Sequence, residues 1–385
     1  MSLQSRREYL EKIRGRYQRA GRPHKSRILE EFCLNCGYHR KHAVRLLNQR
    51  GRPKRKAGRK CRYGPEALAL LKEFWLCSDQ MCSKRLKAAA PEWLPFFKAP
   101  VAARDQVLAM SPATMDRLLA PSRARLGRKR RSGTKPGSLL KKHIPIRTGS
   151  EDIVRVGYLE ADTVAHCGNS LAGDFIWSLS FTDIVSGWTQ CRAVWNKGHS
   201  AIHQQLQAAE AESPFPWLAF DCDNGSEFLN YALWDHYVKR PRPVQFTRSR
   251  PYHKNDNAHI EQKNWSAVRQ LLGYERLDQP ELVPLINDLY ENEWHWWVNF
   301  FCPTFKLIQK KKVGSKYVKR YEKPRPPYAR LLESEEVSAA EKEKLRAIRA
   351  GLDPLKLSQR IQQKLKRIFL AGRRTSQQAG AEATS

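Results

Sequence analysis

Three short stretches between Val156 and Trp265 constrain this chain more than any other feature. Gly157-Tyr-Leu-Glu-Ala-Asp162-Thr-Val is an apolar run that reaches an acid near its end. Trp217-Leu-Ala-Phe-Asp221-Cys-Asp223-Asn-Gly225-Ser-Glu-Phe228 is a second strand-like run that ends in acids and a turn dipeptide. Tyr252-His-Lys-Asn-Asp256-Asn-Ala-His-Ile-Glu261-Gln-Lys-Asn264-Trp passes from a polar loop into a helical pattern. Acids at strand ends point into the crevice where open α/β sheets bind their ligands, and an acid on a following helix can close the cluster from the side. Asp162, Asp223 and Glu261 are therefore expected to meet. Three crowded carboxylates repel one another unless a cation neutralises them, and an all-oxygen donor set favours Mg²⁺ or Mn²⁺.

Around these acids the periodicity predicts strands at 154–164, 173–182 and 187–195, a helix at 198–212, a strand at 217–223, a helix at 226–239, a strand at 243–248 and a helix at 258–273. No Gly-rich phosphate loop interrupts them, so neither a doubly wound nucleotide binder nor a nucleotide cofactor is indicated. Spacing alone leaves the choice of acids open. Asp221 shares a strand face with Asp223, Glu160 shares one with Asp162, and Asp256 precedes Glu261 by five residues. Each acid also has a plain reading, as a strand-end cap, an Asp-Asn-Gly turn or a first-turn helix acid.

The strand ending in Asp162-Thr, the strand running into Asp223-Asn-Gly-Ser-Glu-Phe, and Lys254-Asn-Asp-Asn-Ala-His-Ile-Glu261-Gln-Lys-Asn together resemble the DDE transposases and retroviral-type integrases over roughly residues 150 to 275. The resemblance implies an α/β RNase H-like core, a mixed sheet flanked by helices, and an Asp162, Asp223, Glu261 triad holding two Mg²⁺ or Mn²⁺ ions. The intervals are 61 and 38 residues, the second slightly longer than is common in that family, as a small loop insertion would make it. The activity implied is metal-dependent phosphodiester hydrolysis at an element end, followed by attack of the freed 3′-hydroxyl on target DNA. Two ions would activate the attacking oxygen and stabilise the leaving one, with no covalent enzyme intermediate. The family also implies at least a dimer assembled on double-stranded DNA. Two other readings stay open: a catalytically silent sequence-specific DNA-binding regulator, and a structure-specific nuclease on the same core.

Charge agrees with a nucleic-acid partner. Seventy Lys and Arg against 38 Asp and Glu give a formal charge of +32, and the excess recurs in several segments, which favours nucleic acid over a membrane surface. No apolar run reaches the ~18 residues that a spanning helix needs, and the start Met-Ser-Leu-Gln-Ser-Arg-Arg lacks a signal-peptide pattern. Nine scattered cysteines fit a reducing compartment. The expected location is the bacterial cytoplasm, at the nucleoid.

In chain order, residues 1–49 read as a helix-turn-helix domain. Gly37 supplies the tight turn, Phe32, Cys36, Tyr38, Ala43 and Leu46 pack the helices, and His39, Arg40, Lys41 and Arg45 face DNA. Cys33, Cys36, His39 and His42 have too short a spacing for a common zinc finger and read as packing and surface residues. The linker 50–63 carries Arg50, Arg52, Lys54, Arg55 and Lys56; it is either AT-hook-like or a solvated basic linker touching only phosphates. Residues 64–126 read as a second helix-turn-helix-like domain or a helical spacer, and 127–149 as a basic linker with Arg128, Lys129, Arg130 and Arg131 tracking phosphates. Within the core, 150–278, His253, Lys254, Asn257, Lys263 and Asn264 are expected near DNA. A helical extension, 279–302, ends in Glu293-Trp-His-Trp-Trp-Val-Asn-Phe-Phe301, which reads as a hydrophobic seam in preference to a base-stacking platform. Residues 303–373 form a basic DNA-binding region with a strand pair or arm near 304–330 and helices at 334–348 and 353–371; 374–385 reads as a disordered tail.

Overall fold

The computed structural model describes residues 1–49, 62–125, 153–222, 228, 230–248, 263–314 and 316–382. The chain divides into two compact units, Met1–Arg62 and Tyr63–Ser385.

The first unit is three helices, α1 (Leu3–Arg19), α2 (Arg22–Cys36) and α3 (Arg40–Asn48). Ser2 caps α1 by accepting from the Ser5 amide, and Pro23 occupies the first turn of α2. Gly37 ends α2 at φ +65°, where its amide donates to the Cys33 carbonyl, and this left-handed turn lets α3 fold back. Tyr17, Ile28, Leu29, Phe32, Cys36, Ala43 and Leu47 fill the core. Leu46 and Tyr38 pack against this core as expected, partly buried, and Leu47 is the fully buried leucine of α3. His39 sits before α3 and accepts the Lys41 amide on Nδ1, so it serves as an N-cap. Burial raises the Cys36 thiol pKa, and His42 lies edge-on to Tyr38, which gives both groups packing roles.

The second unit is built on a five-stranded sheet of order β3-β2-β1-β4-β5, with β1 Tyr158–Ala165, β2 Ile176–Asp183, β3 Thr189–Trp195, β4 Ala219–Cys222 and β5 Gln245–Arg248. The first three strands are an antiparallel meander; β4 and β5 run parallel to β1. Helix α8 (His199–Ala211) connects β3 to β4, and α9 (Tyr231–Val238) lies between β4 and β5. The element order is the one that the sequence periodicity predicts, in a mixed sheet flanked by helices.

The two faces of the sheet differ. Leu159, Ala161, Phe181, Phe220 and Phe246 face α8 and α9, where Phe220 stacks on Tyr237 at 5.1 Å. The opposite face carries hydroxyls and carboxylates and is covered by α10, which is wide-turned over Asn264–Arg269 and regular over Gln270–Leu272, and by α11, the successive segments Leu282–Leu289, Tyr290–Trp294 and His295–Phe300. The aromatic run of α11 is a buried seam. Trp294 donates to the Ala267 carbonyl and Trp93 to the Phe301 carbonyl, and Trp93 meets Trp297 edge-on at 6.1 Å.

Four helices, Pro65–Cys77, Ser83–Trp93, Val101–Ala109 and Pro112–Arg125, precede the sheet and share its hydrophobic core. This helical layer therefore belongs to the same compact unit as the sheet. Beyond the seam, β6 (Leu307–Val313) and β7 (Lys316–Tyr321) form a separate antiparallel ribbon, followed by helices Pro327–Glu333, Ala339–Gly351 and Pro354–Glu382. The last helix continues past the expected end at 371 to Glu382. Ala, Gln and Arg are good helix formers and carry it on despite their polarity.

Candidate active site

Strand β1 is anchored at its start. Gly157 has φ +107°, and its carbonyl accepts from the Leu218 and Ala219 amides at 2.8 and 3.1 Å, which docks β1 against the incoming β4. From there the alternation of a strand puts Glu160, Asp162 and Val164 on one face. Pairing across the sheet extends that face into rows. Thr189, Thr182, Glu160, Asp221 and Thr247 form one row spanning all five strands, and Cys191, Ser180 and Asp162 form the next.

Burial separates acids that spacing could not. Glu160 and Asp221 are 0% and 1% exposed, and Asp221 accepts the Thr247 hydroxyl at 2.5 Å. Asp162 is only half-buried, one row closer to the carboxyl ends of β1 and β4. It is also held. Oδ2 accepts from Asn264 Nδ2 at 2.5 Å and Oδ1 from the Thr163 amide at 2.7 Å, while Asn264 Oδ1 accepts the Ser180 hydroxyl at 2.5 Å. One amide side chain thus ties α10 to β2 and fixes the rotamer of a crevice carboxylate.

Around this spot the described carboxylate at the crevice end is that of Asp162, whose oxygens are hard ligands suited to Mg²⁺ or Mn²⁺, while Glu160 and Asp221 are closed off in the row behind. Among the described residues, no cluster of three His, Cys, Asp or Glu side chains could hold a metal by itself. Asp223 and Glu261, the other two expected ligands, lie outside the described residues, as do His253, Lys254, Asn257, Arg50, Arg52, Lys54, Arg55, Lys56 and Arg128 to Arg131. Arg40, Lys41 and Arg45 are exposed on α3, with Arg40 near Glu30 at 3.8 Å.

Lys263 turns inward. Its Nζ donates to the Gly187 carbonyl at 3.0 Å, and burial, then the positive charge of Arg85, lowers its pKa to about 7. Beyond Asp162 along β1, His166 hydrogen-bonds Ser178, which in turn meets the Tyr290 hydroxyl, and burial lowers the His166 pKa to about 3. The face on both sides of Asp162 is thus packed polar structure, with Asp162 half-exposed between.

A protein of Sinorhizobium fredii (strain NBRC 101917 / NGR234), described as uncharacterized protein y4rM, is 40% identical over 342 residues, covering 86% of this chain and 96% of its own length. This chain belongs to the y4rM family. No family model matches the sequence. Among solved structures, the y4rM-family chain aligns with the HTLV-2 integrase catalytic core domain in complex with magnesium at 15% identity, covering 39% of this chain and 92% of that one, with a TM-score of 0.28. The catalytic core domain of BIV integrase aligns at 12% identity over 46% and 94%, also with a TM-score of 0.28. Scores at that level carry no inference about activity.

Several polar residues of this y4rM-family face escaped the sequence reading. Ser178, Ser180, Thr182 and Thr247 are buried: Ser180 bonds Asn264 of α10, Thr247 bonds Asp221, Ser178 bonds His166 and Tyr290, and Thr182 meets Thr189. A signal was present. Ile176-Trp-Ser-Leu-Ser-Phe-Thr182 alternates bulky and hydroxyl side chains, the mark of a strand with one apolar and one hydrogen-bonding face.

Proposed function

We propose that this chain is a DNA transposase of the DDE type, with Asp162, Asp223 and Glu261 as its metal-binding catalytic triad and two Mg²⁺ or Mn²⁺ ions as cofactor. The observation that carries the reading is the parallel ladder of β1 and β4. Its last pairs are Glu160 with Asp221 and Ala161 with Cys222, and the residues next in sequence after the two strand segments are Asp162 and Asp223. The half-exposed, amide-held carboxylate of Asp162 at that ladder end supports the same assignment. Bound there, divalent ions would supply the charge that a phosphodiester displacement requires. The chain's own part is to hold Asp162 in one rotamer through Asn264 and to keep the sheet edge open to a DNA strand.

The remaining assignments belong to this proposal. Residues 1–49 act as an end-recognising helix-turn-helix through Arg40, Lys41 and Arg45. The basic segments with Arg50, Arg52, Lys54, Arg55, Lys56 and Arg128 to Arg131, together with His253, Lys254 and Asn257, contact DNA, as do lysines of the β6–β7 ribbon such as Lys311 and Lys319, whereas the inward-turned Lys263 does not. The working form is at least a dimer on DNA.

The test is strand joining of a labelled element-end duplex into plasmid with Mg²⁺ or Mn²⁺, wild type against Asp223→Asn and Asp162→Asn. Metal-dependent joining that disappears in both variants while end binding persists is the expected result. End binding without cleavage in any metal would replace the reading with a silent regulator; cleavage without joining would replace it with a nuclease.

A further inference from the structure

A cavity of about 600 Å³ opens behind α10, between the turn after β2 and the helical layer that precedes the sheet. Its wall includes Arg85, Arg123, Lys263, Lys306 and Arg330, with Trp265 at its rim, 42% exposed. Two of the cations are neutralised from outside: Arg123 pairs with Asp116 at 2.6 Å, and Arg330 pairs with Glu322. Lys263 and Arg85 are not. Their hydrogen bonds are to carbonyls, Lys263 to Gly187 at 3.0 Å and Arg85 to Pro303 at 2.5 Å, and among the described residues neither has an ion pair. Arg85, Lys263, Lys306 and Arg330 all line this one cavity, so the groups converge.

The two wall carboxylates do not answer this charge equally. Asp183 is spent on the Gly157 amide and on the amide and hydroxyl of Ser186, at 2.8, 2.6 and 2.6 Å. Asp79 lies across the cavity on the helical layer, where its carbonyl accepts from Gln270 at 2.9 Å. Three half-buried cations, Lys263, Arg85 and Lys306, thus share the cavity with Asp79, an excess of positive charge, and a guanidinium together with an ammonium suits a tetrahedral oxyanion.

We propose that this cavity is a binding site for a phosphoryl group, taken between Lys263 and Arg85 with Lys306 on the facing wall. Asp162, the described member of the metal-binding triad, does not line it. The chemistry recognised is the same whether the phosphoryl group is free, carried by a nucleotide whose base lies on Trp265, or the terminal phosphate of a strand.

The test uses the full chain in chelator, without divalent metal, so that its failure leaves the transposase reading untouched. Sodium phosphate is titrated against sodium chloride at matched ionic strength, with melting temperature and calorimetry as readouts. Saturable stabilisation by one phosphate per chain is expected. Lys263→Met and Arg85→Gln are expected to weaken it at least about tenfold, the scale of losing one charge-assisted contact. Arg85→Lys, which keeps the charge but not the planar fork, is expected to lose less than Arg85→Gln, and Lys306→Gln, on the facing wall, is expected to weaken binding too, which guards against a folding defect confined to the other variants. Lys342→Ala, on the helix Ala339–Gly351, is expected to change nothing. Competition by dAMP about tenfold better than phosphate would identify a nucleotide. Displacement by a 5′-phosphorylated duplex but not by its 5′-hydroxyl counterpart would identify a strand end. No saturable effect beyond chloride, or an equal loss in Lys342→Ala, overturns the proposal.

Discussion

Asn264 is the residue on which the candidate site turns. It stands three positions after Glu261, its amide nitrogen reaches Asp162, and its amide oxygen takes the Ser180 hydroxyl, so one side chain couples helix, strand and carboxylate. Removing it should leave the fold and DNA affinity in place but free the Asp162 carboxylate to rotate. Groups that orient metal-binding carboxylates are typically worth about 10–100-fold in metal affinity or activity, and Asn264→Ala is expected to fall in that range, read as a raised Mn²⁺ requirement in the strand-joining assay. Burial makes a companion prediction. Asp162→Asn should abolish joining at any metal concentration, whereas Glu160→Gln, in the closed row behind, should shift the midpoint of urea unfolding and leave the metal requirement unchanged. A loss of joining in Glu160→Gln without loss of stability would move the catalytic assignment one row inward.

Among the elements, β1 depends on a residue that precedes it. A methyl group placed on Gly157 would lie 2.5 Å from the Pro216 carbonyl oxygen and 2.9 Å from Leu218 Cγ, and φ +107° excludes other side chains in any case. Gly157→Ala should therefore cost about 3 kcal/mol or more, because both neighbours belong to the segment that delivers β4 and neither can yield without spoiling the ladder. Urea denaturation of the full chain measures it, with Gly198→Ala, where a methyl group meets nothing within 4 Å, as the control. The same elements mark what could be read from sequence. Three strands, helix, strand, helix and strand were legible because apolar runs, turn residues and strand-end acids recur in that order, and Gly37 announced the turn of the first unit. The helical layer's merger with the sheet was not legible. It rests on Trp93 reaching the Phe301 carbonyl, and a pairing 208 positions apart leaves no local pattern. Nor was the cavity, since the charges of Arg85, Lys263 and Arg330 converge only through the tertiary fold.

For the molecule as a whole, the buried polar face sets how stability responds to acid. His166 and His295 are fully enclosed. Burial lowers each pKa to about 3, and the nearby positive charges of Arg269 and Arg192 act in the same direction. In the unfolded chain the same imidazoles titrate near 6.5. Between about pH 3 and 6.5 the unfolded state therefore holds protons that the folded state lacks, so the stability due to these groups is full above 6.5 and falls as the pH drops through that window. Each histidine contributes a slope of up to roughly 1.4 kcal/mol per pH unit. The interval from pH 4.5 to 6 favours them, because ordinary carboxylates titrate mostly below it, and His203, whose pKa burial also lowers, adds to the same slope. Urea midpoints measured across that interval should drop for the wild type. His166→Gln can keep a hydrogen bond to Ser178 but carries no titrating ring, and should lose part of the slope while being less stable at pH 7. An unchanged slope in that variant would mean that His166 is protonated within the fold, and the polar face would then have to supply it with a counter-charge.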